Sequence, residues 1–87
     1  MLFHITWEFD PASRNDAQER FAAAGGLPPE GVTMVGRWHD VAGLRGFLIA
    51  ESDDAVAIGK WMQDWTDLLT FEVAPVVDDD GLTSILG

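Results

Sequence analysis

The chain contains no cysteine. That excludes disulfides, thiolate metal sites and cysteine nucleophiles together. Basic residues are also scarce: Arg14, Arg20, Arg37, Arg45 and Lys60 stand against 15 Asp and Glu, and the formal net charge is −10. A nucleic-acid binder needs a basic stripe to displace counterions from phosphates. This surface repels a phosphate backbone and an anionic membrane alike, so no nucleic acid and no membrane is expected as a partner. The acidity reads as a solubility feature. No apolar run approaches the roughly 20 residues that span a bilayer. The N-terminus lacks the basic region and apolar stretch of a signal peptide. A soluble, cytoplasmic protein is the expectation. Also missing are a nucleophile elbow, a phosphate loop, a dinucleotide fingerprint and a zinc-protease signature.

What remains is a single domain, residues 1–87. A chain of this size buries only about 60% of the surface it exposes when unfolded, so its core is marginal. Small domains recover stability through disulfides, metals or oligomerisation. Oligomerisation is the route left open, and a hydrophobic fraction of 47% supplies apolar surface for it.

Leu2 to Phe9 alternates, with Phe3, Ile5, Trp7 and Phe9 on one face and Leu2, His4, Thr6 and Glu8 on the other. That is a period-2 strand with one strongly apolar face. Asp10-Pro11 or Ser13 then opens a helix, either residue serving as cap. Ala17, Phe21 and Ala24 form its narrow apolar stripe. Gly25-Gly26 ends the helix in the left-handed conformation. These glycines follow a helix rather than precede one, so they cradle no anion. Leu27-Pro28-Pro29-Glu30-Gly31 is a rigid turn.

Gly31 to Glu51 reads as a β-hairpin. Simple alternation along its first arm puts Val32, Met34, Gly36 and Trp38 on one face, with Thr33, Val35, Arg37 and His39 on the other. The second arm, Gly46 to Glu51, is apolar on both faces and therefore central in a covered sheet. Ser52-Asp53-Asp54 caps a second helix, whose stripe is Ile58, Trp61, Met62 and Trp65. Thr70 to Val77 is the last strand. Pro75 confines it to a sheet edge or a bulge. Asp78-Asp79-Asp80-Gly81 reads as a solvated turn rather than a hard-cation site. Leu82 to Leu86 is a short apolar tail with no home inside so small a monomer, and it suits a partner subunit.

Strand, helix, strand, strand, helix, strand is the split βαβ order. The expected fold is α+β, a ferredoxin-like βαββαβ domain with a four-stranded antiparallel sheet and two helices on one face. The first and third strands lie at the centre, and the second and fourth outside. Helices cover only one sheet face. A second copy is the simplest cover for the other, which predicts a homodimer of dimeric α/β-barrel type.

Four stretches carry a family resemblance: Gly25-Gly26-Leu27-Pro28-Pro29-Glu30-Gly31-Val32, Gly36-Arg37-Trp38-His39, Glu51-Ser52-Asp53-Asp54-Ala55 and Trp65-Thr66-Asp67-Leu68-Leu69. Together they resemble a group of short bacterial proteins of unknown function in the dimeric α/β-barrel, ferredoxin-like superfamily. The resemblance covers almost the whole chain and implies the same fold and a dimer. It implies no reaction. More distantly, the fold hosts cofactorless antibiotic-biosynthesis-type monooxygenases, haem-degrading enzymes and muconolactone isomerases. In those relatives the ligand lies between the sheet and the helices of each subunit, which is here the space beside Trp61 and Trp65.

Three functions fit these residues. In the first, the protein binds a small molecule without chemistry of its own. Trp7, Trp38, Trp61 and Trp65 would build a flat apolar pocket, with Arg37 and His39 holding an anionic group at its rim. Arg suits a carboxylate because its planar fork donates two parallel bonds. The simpler account pairs Arg37 and Arg45 with nearby carboxylates and places the tryptophans in the core. In the second, the protein is a cofactorless oxygenase or isomerase acting on a small aromatic or anionic substrate, with His39 or His4 as general base. Either His is alone in sequence, and no motif supports haem ligation. No cofactor and no metal is expected. In the third, the protein is a structural interaction module. Alternation separates Trp38 from Arg37 and His39. Either the pocket is aromatic, or the Arg37–His39 pair faces a dimer interface.

Overall fold

The alternation of Leu2–Glu8 produces a strand, β1, that buries Phe3, Ile5 and Trp7 and leaves Leu2, His4 and Thr6 half-exposed. The computed structural model describes all 87 residues. After a single turn of 3-10 helix over Pro11–Ser13 come α1 (Arg14–Ala24), β2 (Thr33–His39), β3 (Arg45–Glu51), α2 (Ala55–Gln63), β4 (Thr70–Val76) and α3 (Asp79–Leu86). The four strands are antiparallel in the order β2-β3-β1-β4. The two-sided apolar strand β3 is thus central, and the Pro75 strand β4 is an edge, as expected. Pro75 lies opposite Phe3 on the outermost strand, where its missing N–H interrupts only one ladder.

α1 and α2 cover one face. Ala17, Ala57, Ile58, Trp61 and Met62 pack there against Phe3, Ile5, Trp7, Leu48 and Ala50. The helices differ in how they begin. Asp54 caps α2, its Oδ1 accepting from the Val56 and Ala57 N–H groups at 2.9 and 3.2 Å. Neither Asp10 nor Ser13 caps α1 through its side chain, contrary to expectation, and the 3-10 turn supplies the entry instead. Of the predicted α1 stripe only Ala17 is buried, because Phe21 turns toward a cavity and Ala24 toward solvent. Gly25 and Gly26 end α1 at φ +77° and +54°, and the Gly25 N–H donates to the Phe21 carbonyl at 2.7 Å.

Two further elements differ from the sequence expectation. First, β2 does not alternate throughout. Met34 lies opposite Ala50 and Gly36 opposite Ile49, so two residues of β2 face one of β3 and the strand bulges at Val35 and Gly36. Beyond the bulge the faces exchange. Arg37 lies opposite Leu48 and His39 opposite Gly46, on the helix side with Met34, while Gly36 and Trp38 lie on the open side. Second, residues 79–86 are the helix α3 rather than a turn and a tail, with the Asp78 side chain accepting from the Gly81 N–H at 2.9 Å. No residue of α3 is buried; Leu82, Ile85 and Leu86 are exposed. No helix of the chain is long and apolar enough to cross a membrane.

Glycine makes two close approaches in the sheet, Gly36 beneath the Trp38 indole and Gly46 beneath that of Trp7. Gly46 lies opposite Trp7, and a Cβ there would fall on the Trp7 indole. Gly46→Ala is therefore expected to destabilise the fold by about 1–3 kcal/mol through overpacking. Gly59, inside α2, has open space around it. Gly59→Ala is expected to stabilise by about 0.5–1 kcal/mol. Urea midpoints of the two variants should move in opposite directions from wild type.

Candidate functional site

Between the sheet and the two covering helices lies a cavity of about 350 Å³. Its walls are mostly apolar: Trp7 and Leu48 from the central strands, Phe21 from α1, Trp61 and Met62 from α2, Trp65 after α2, and Phe71 from β4. Arg37 and His39 reach it from β2, with Asp40 and Arg45 at its edge. Trp7, Trp61, Trp65, Arg37 and His39 are thus brought together, as five of the predicted ligand residues. Trp38 and His4 are not. They lie on the opposite sheet face, where Trp38 stacks on Phe47 at 5.2 Å between centroids and His4 tilts against the same ring at 5.7 Å. The choice between an aromatic pocket and an interfacial Arg–His pair dissolves, because the bulge puts the pair in the aromatic pocket and removes Trp38 from it.

Arg37 is the distinctive group. Its Nη1 donates to the Gly26 carbonyl at 2.7 Å and its Nη2 to the Gly25 carbonyl at 3.1 Å. These carbonyls lie at the C-terminal end of α1, where the helix dipole is negative. The guanidinium also sits 4.8 Å from the centre of the Phe21 ring. No carboxylate pairs with it. The acids that pair with cations are Asp53 with the N-terminus, Asp67 with Arg20 and Asp40 with Arg45, the last at 4.0 Å. The simple pairing account therefore holds for Arg45 and fails for Arg37. Burial draws the Arg37 guanidinium below its ordinary value, yet a guanidinium stays charged at any physiological pH. Of its five N–H groups, only two have protein acceptors.

His39 meets Trp7 edge-on at 5.6 Å and Phe21 at 5.3 Å. Its ring makes no hydrogen bond to the protein. Burial lowers its pKa from the usual 6.5, and the neighbouring Arg37 charge lowers it further. At neutral pH it is an uncharged imidazole able to accept a proton beside a fixed cation.

Other contacts place the cavity roof. Arg20 on α1 forms a two-pronged pair with Asp67, both bonds 2.7 Å, and donates to the Asp64 carbonyl at 3.1 Å. It also lies 5.5 Å from the Trp65 ring centre. Asp67 is held below, and Arg20 above, its ordinary value, chiefly by their mutual hydrogen bonds. Sequence reading missed this clamp, because nothing local in the chain links residue 20 to residue 67.

The sign of the His39 effect on stability follows from its lowered value. The unfolded chain protonates His39 near 6.5, and the folded chain only at lower pH. Between those values the unfolded state binds more protons. The His39 contribution is therefore present above about pH 6.5 and lost as pH falls through the folded value. Titration of the His39 ring protons by NMR should give a midpoint below 6.5, and Arg37→Gln should move it upward without restoring it fully.

The comparisons with known proteins show a fold and a family. A candidate antibiotic biosynthesis monooxygenase from Deinococcus radiodurans superposes with a TM-score of 0.50 at 10% identity, covering 88% of this chain and 92% of that one. An uncharacterized NIPSNAP domain protein from Burkholderia xenovorans superposes with a TM-score of 0.49 at 11% identity, covering 91% and 97%. At such identities the likeness of the first is one of fold alone. No curated protein matches the chain in sequence. The family match covers residues 1–87, and the chain belongs to the family described as Domain of unknown function (DUF3303).

Proposed function

We propose that this protein binds a small planar anion in the cavity between sheet and helices. The observation that carries this reading is Arg37, a half-buried guanidinium that borders an aromatic cavity and has no carboxylate partner in a chain of net charge −10. Helix-end carbonyls supply partial charge only, so the cation keeps donors for a ligand carboxylate or oxyanion. The indoles of Trp7, Trp61 and Trp65 suit a flat apolar body. The working unit in this reading is a homodimer, since the chain's own helices cover one sheet face and leave the other open.

A second reading is favoured by His39 in particular. An uncharged imidazole beside Arg37 can take a proton from an acidic C–H or O–H while Arg37 holds the resulting oxyanion, which is isomerase-like or cofactorless-oxygenase-like chemistry. Solvent deuterium should then enter phenylpyruvate, an enolisable planar acid, in the presence of wild type and not of His39→Gln.

Calorimetry with 1-naphthoate tests the binding reading. Wild type should bind it, and the neutral 1-naphthamide should bind far less. Arg37→Ala should weaken naphthoate by about 1.5–3 kcal/mol, roughly 10- to 150-fold. Arg37→Lys, which keeps charge but loses the fork, should fall between. Equal affinity for acid and amide in wild type would contradict the reading.

A further inference from the structure

The helix-side cavity is divided by chemistry across the sheet. Its charged, amide and imidazole side chains all come from one side: Arg37 and His39 from β2, Gln18 from α1, and Asp40 and Arg45 from the ends of the β2–β3 turn. The side toward α2 and β4 is lined by Trp61, Met62, Trp65, Leu69 and Phe71. Because β2 and β4 are the two outer strands, these groups stand at opposite ends of the space. A planar ligand held there meets polar side chains along one edge and apolar ones along the other.

Two of the polar groups converge on one ring. Arg37 and His39 are two residues apart on the helix side of β2, about 6.6–6.8 Å along the strand. The Arg37 guanidinium lies 4.8 Å, and the His39 ring 5.3 Å, from the centre of Phe21. A carboxylate on the spare Arg37 N–H groups therefore brings a substituent of the same aromatic ring, one ring-width away, to His39. The His39 ring stands edge-on to Trp7 and Phe21 and makes no hydrogen bond to the protein. Its uncharged form offers one acceptor nitrogen and one N–H. Asp40 follows it at the same edge of the cavity, loosely paired with Arg45 at 4.0 Å. A second carboxylate there would be set beside that anion, whereas a neutral hydroxyl can donate to the imidazole nitrogen.

We propose that His39 is a specificity-determining residue that accepts a hydrogen bond from a hydroxyl on the ligand's carboxylate-bearing ring, so that the cavity prefers hydroxy-substituted planar acids whose far edge is bare. The carboxylate's place rests on the anion reading of the cavity; the hydroxyl contact rests on His39 alone. Part of the His39 ring is open to solvent. The hydroxyl therefore replaces a water, and the gain is about three- to tenfold.

Calorimetry on the full chain with a matched set of 2-naphthoate probes tests it. 4-Hydroxy-2-naphthoate, with its hydroxyl on the acid's own ring, should bind wild type about three- to tenfold more tightly than 2-naphthoate. 6-Hydroxy-2-naphthoate, with the same group at the far end, should gain nothing. His39→Phe keeps a ring beside Trp7 and Phe21 but has no nitrogen; there the 4-hydroxy and parent acids should bind alike, whatever their common affinity. In wild type, 4-methoxy-2-naphthoate has no proton to donate and should lose the gain, a measurement that stands should His39→Phe fail to fold. Tighter binding of 2-naphthoate than of 2-naphthamide, with no gain from the 4-hydroxyl, overturns the proposal and leaves the anion reading standing. Equal gains from the 4- and 6-hydroxyls, or a 4-hydroxyl gain that survives in His39→Phe, also overturn it. Equal affinity for 2-naphthoate and 2-naphthamide, with a His39-dependent hydroxyl gain, supports the hydroxyl contact and counts against the anion reading instead. No binding of any probe overturns both.

Discussion

The seating of α1 over the sheet depends on Arg37 donating to the Gly25 and Gly26 carbonyls just past the end of that helix. That helix has little else to hold it. It has no side-chain cap at its start and buries one residue, Ala17, against the sheet. Its position is set by two arginines, Arg37 reaching from β2 to Gly25 and Gly26, and Arg20 reaching from α1 to Asp67. A helix held by polar contacts at its end and side, rather than by a broad apolar stripe, leaves space beneath it. The cavity occupies that space. Gly26 shows how closely the contact is fitted: a Cβ there would lie 3.0 Å from Arg37 Nη1 and 3.1 Å from the Phe21 ring.

A one-residue irregularity directs this chemistry inward. Without the bulge at Val35 and Gly36, strict alternation from Met34 would send Arg37 and His39 to the open face and Trp38 to the helices. With it, the cation and the imidazole join Trp7, Trp61 and Trp65. The open face keeps Trp38 stacked on Phe47. The four tryptophans thus divide three to one between a cavity and an uncovered surface, and the two surfaces meet where the β2–β3 turn brings His39 and Arg45 to the sheet end.

Features governed by local rules were legible in the chain. The Pro75 edge strand, the doubly apolar central strand, the Asp54 cap and the Gly25-Gly26 stop each follow from the physics of a few adjacent residues. The structure brings Trp7, Trp61 and Trp65 together with Arg37 and His39 around one cavity, where alternation alone left the aromatic pocket and the Arg37–His39 pair as alternatives. What escaped was set by pairing across the chain. The bulge is a matter of register between β2 and β3, and the placing of Trp38 goes with it. The Arg20–Asp67 clamp joins residues far apart in sequence. α3 was closer to legible: Asp78 is a sound cap, Asp79 and Asp80 suit a first turn, and Leu82, Ile85 and Leu86 have helical spacing. Reading the triple Asp as a solvated turn hid the helix start.

The central claim is that Arg37 is a cation reserved for a ligand rather than a purely structural strut for α1. Nitrogen-resolved NMR of the arginine side chains during a 1-naphthoate titration tests it most directly. The account predicts that the Arg37 side-chain signals shift saturably, together with the indole signals of Trp7, Trp61 and Trp65, while Arg14 stays still. Saturable shifts confined to Trp38 and His4, with Arg37 unmoved, would contradict it.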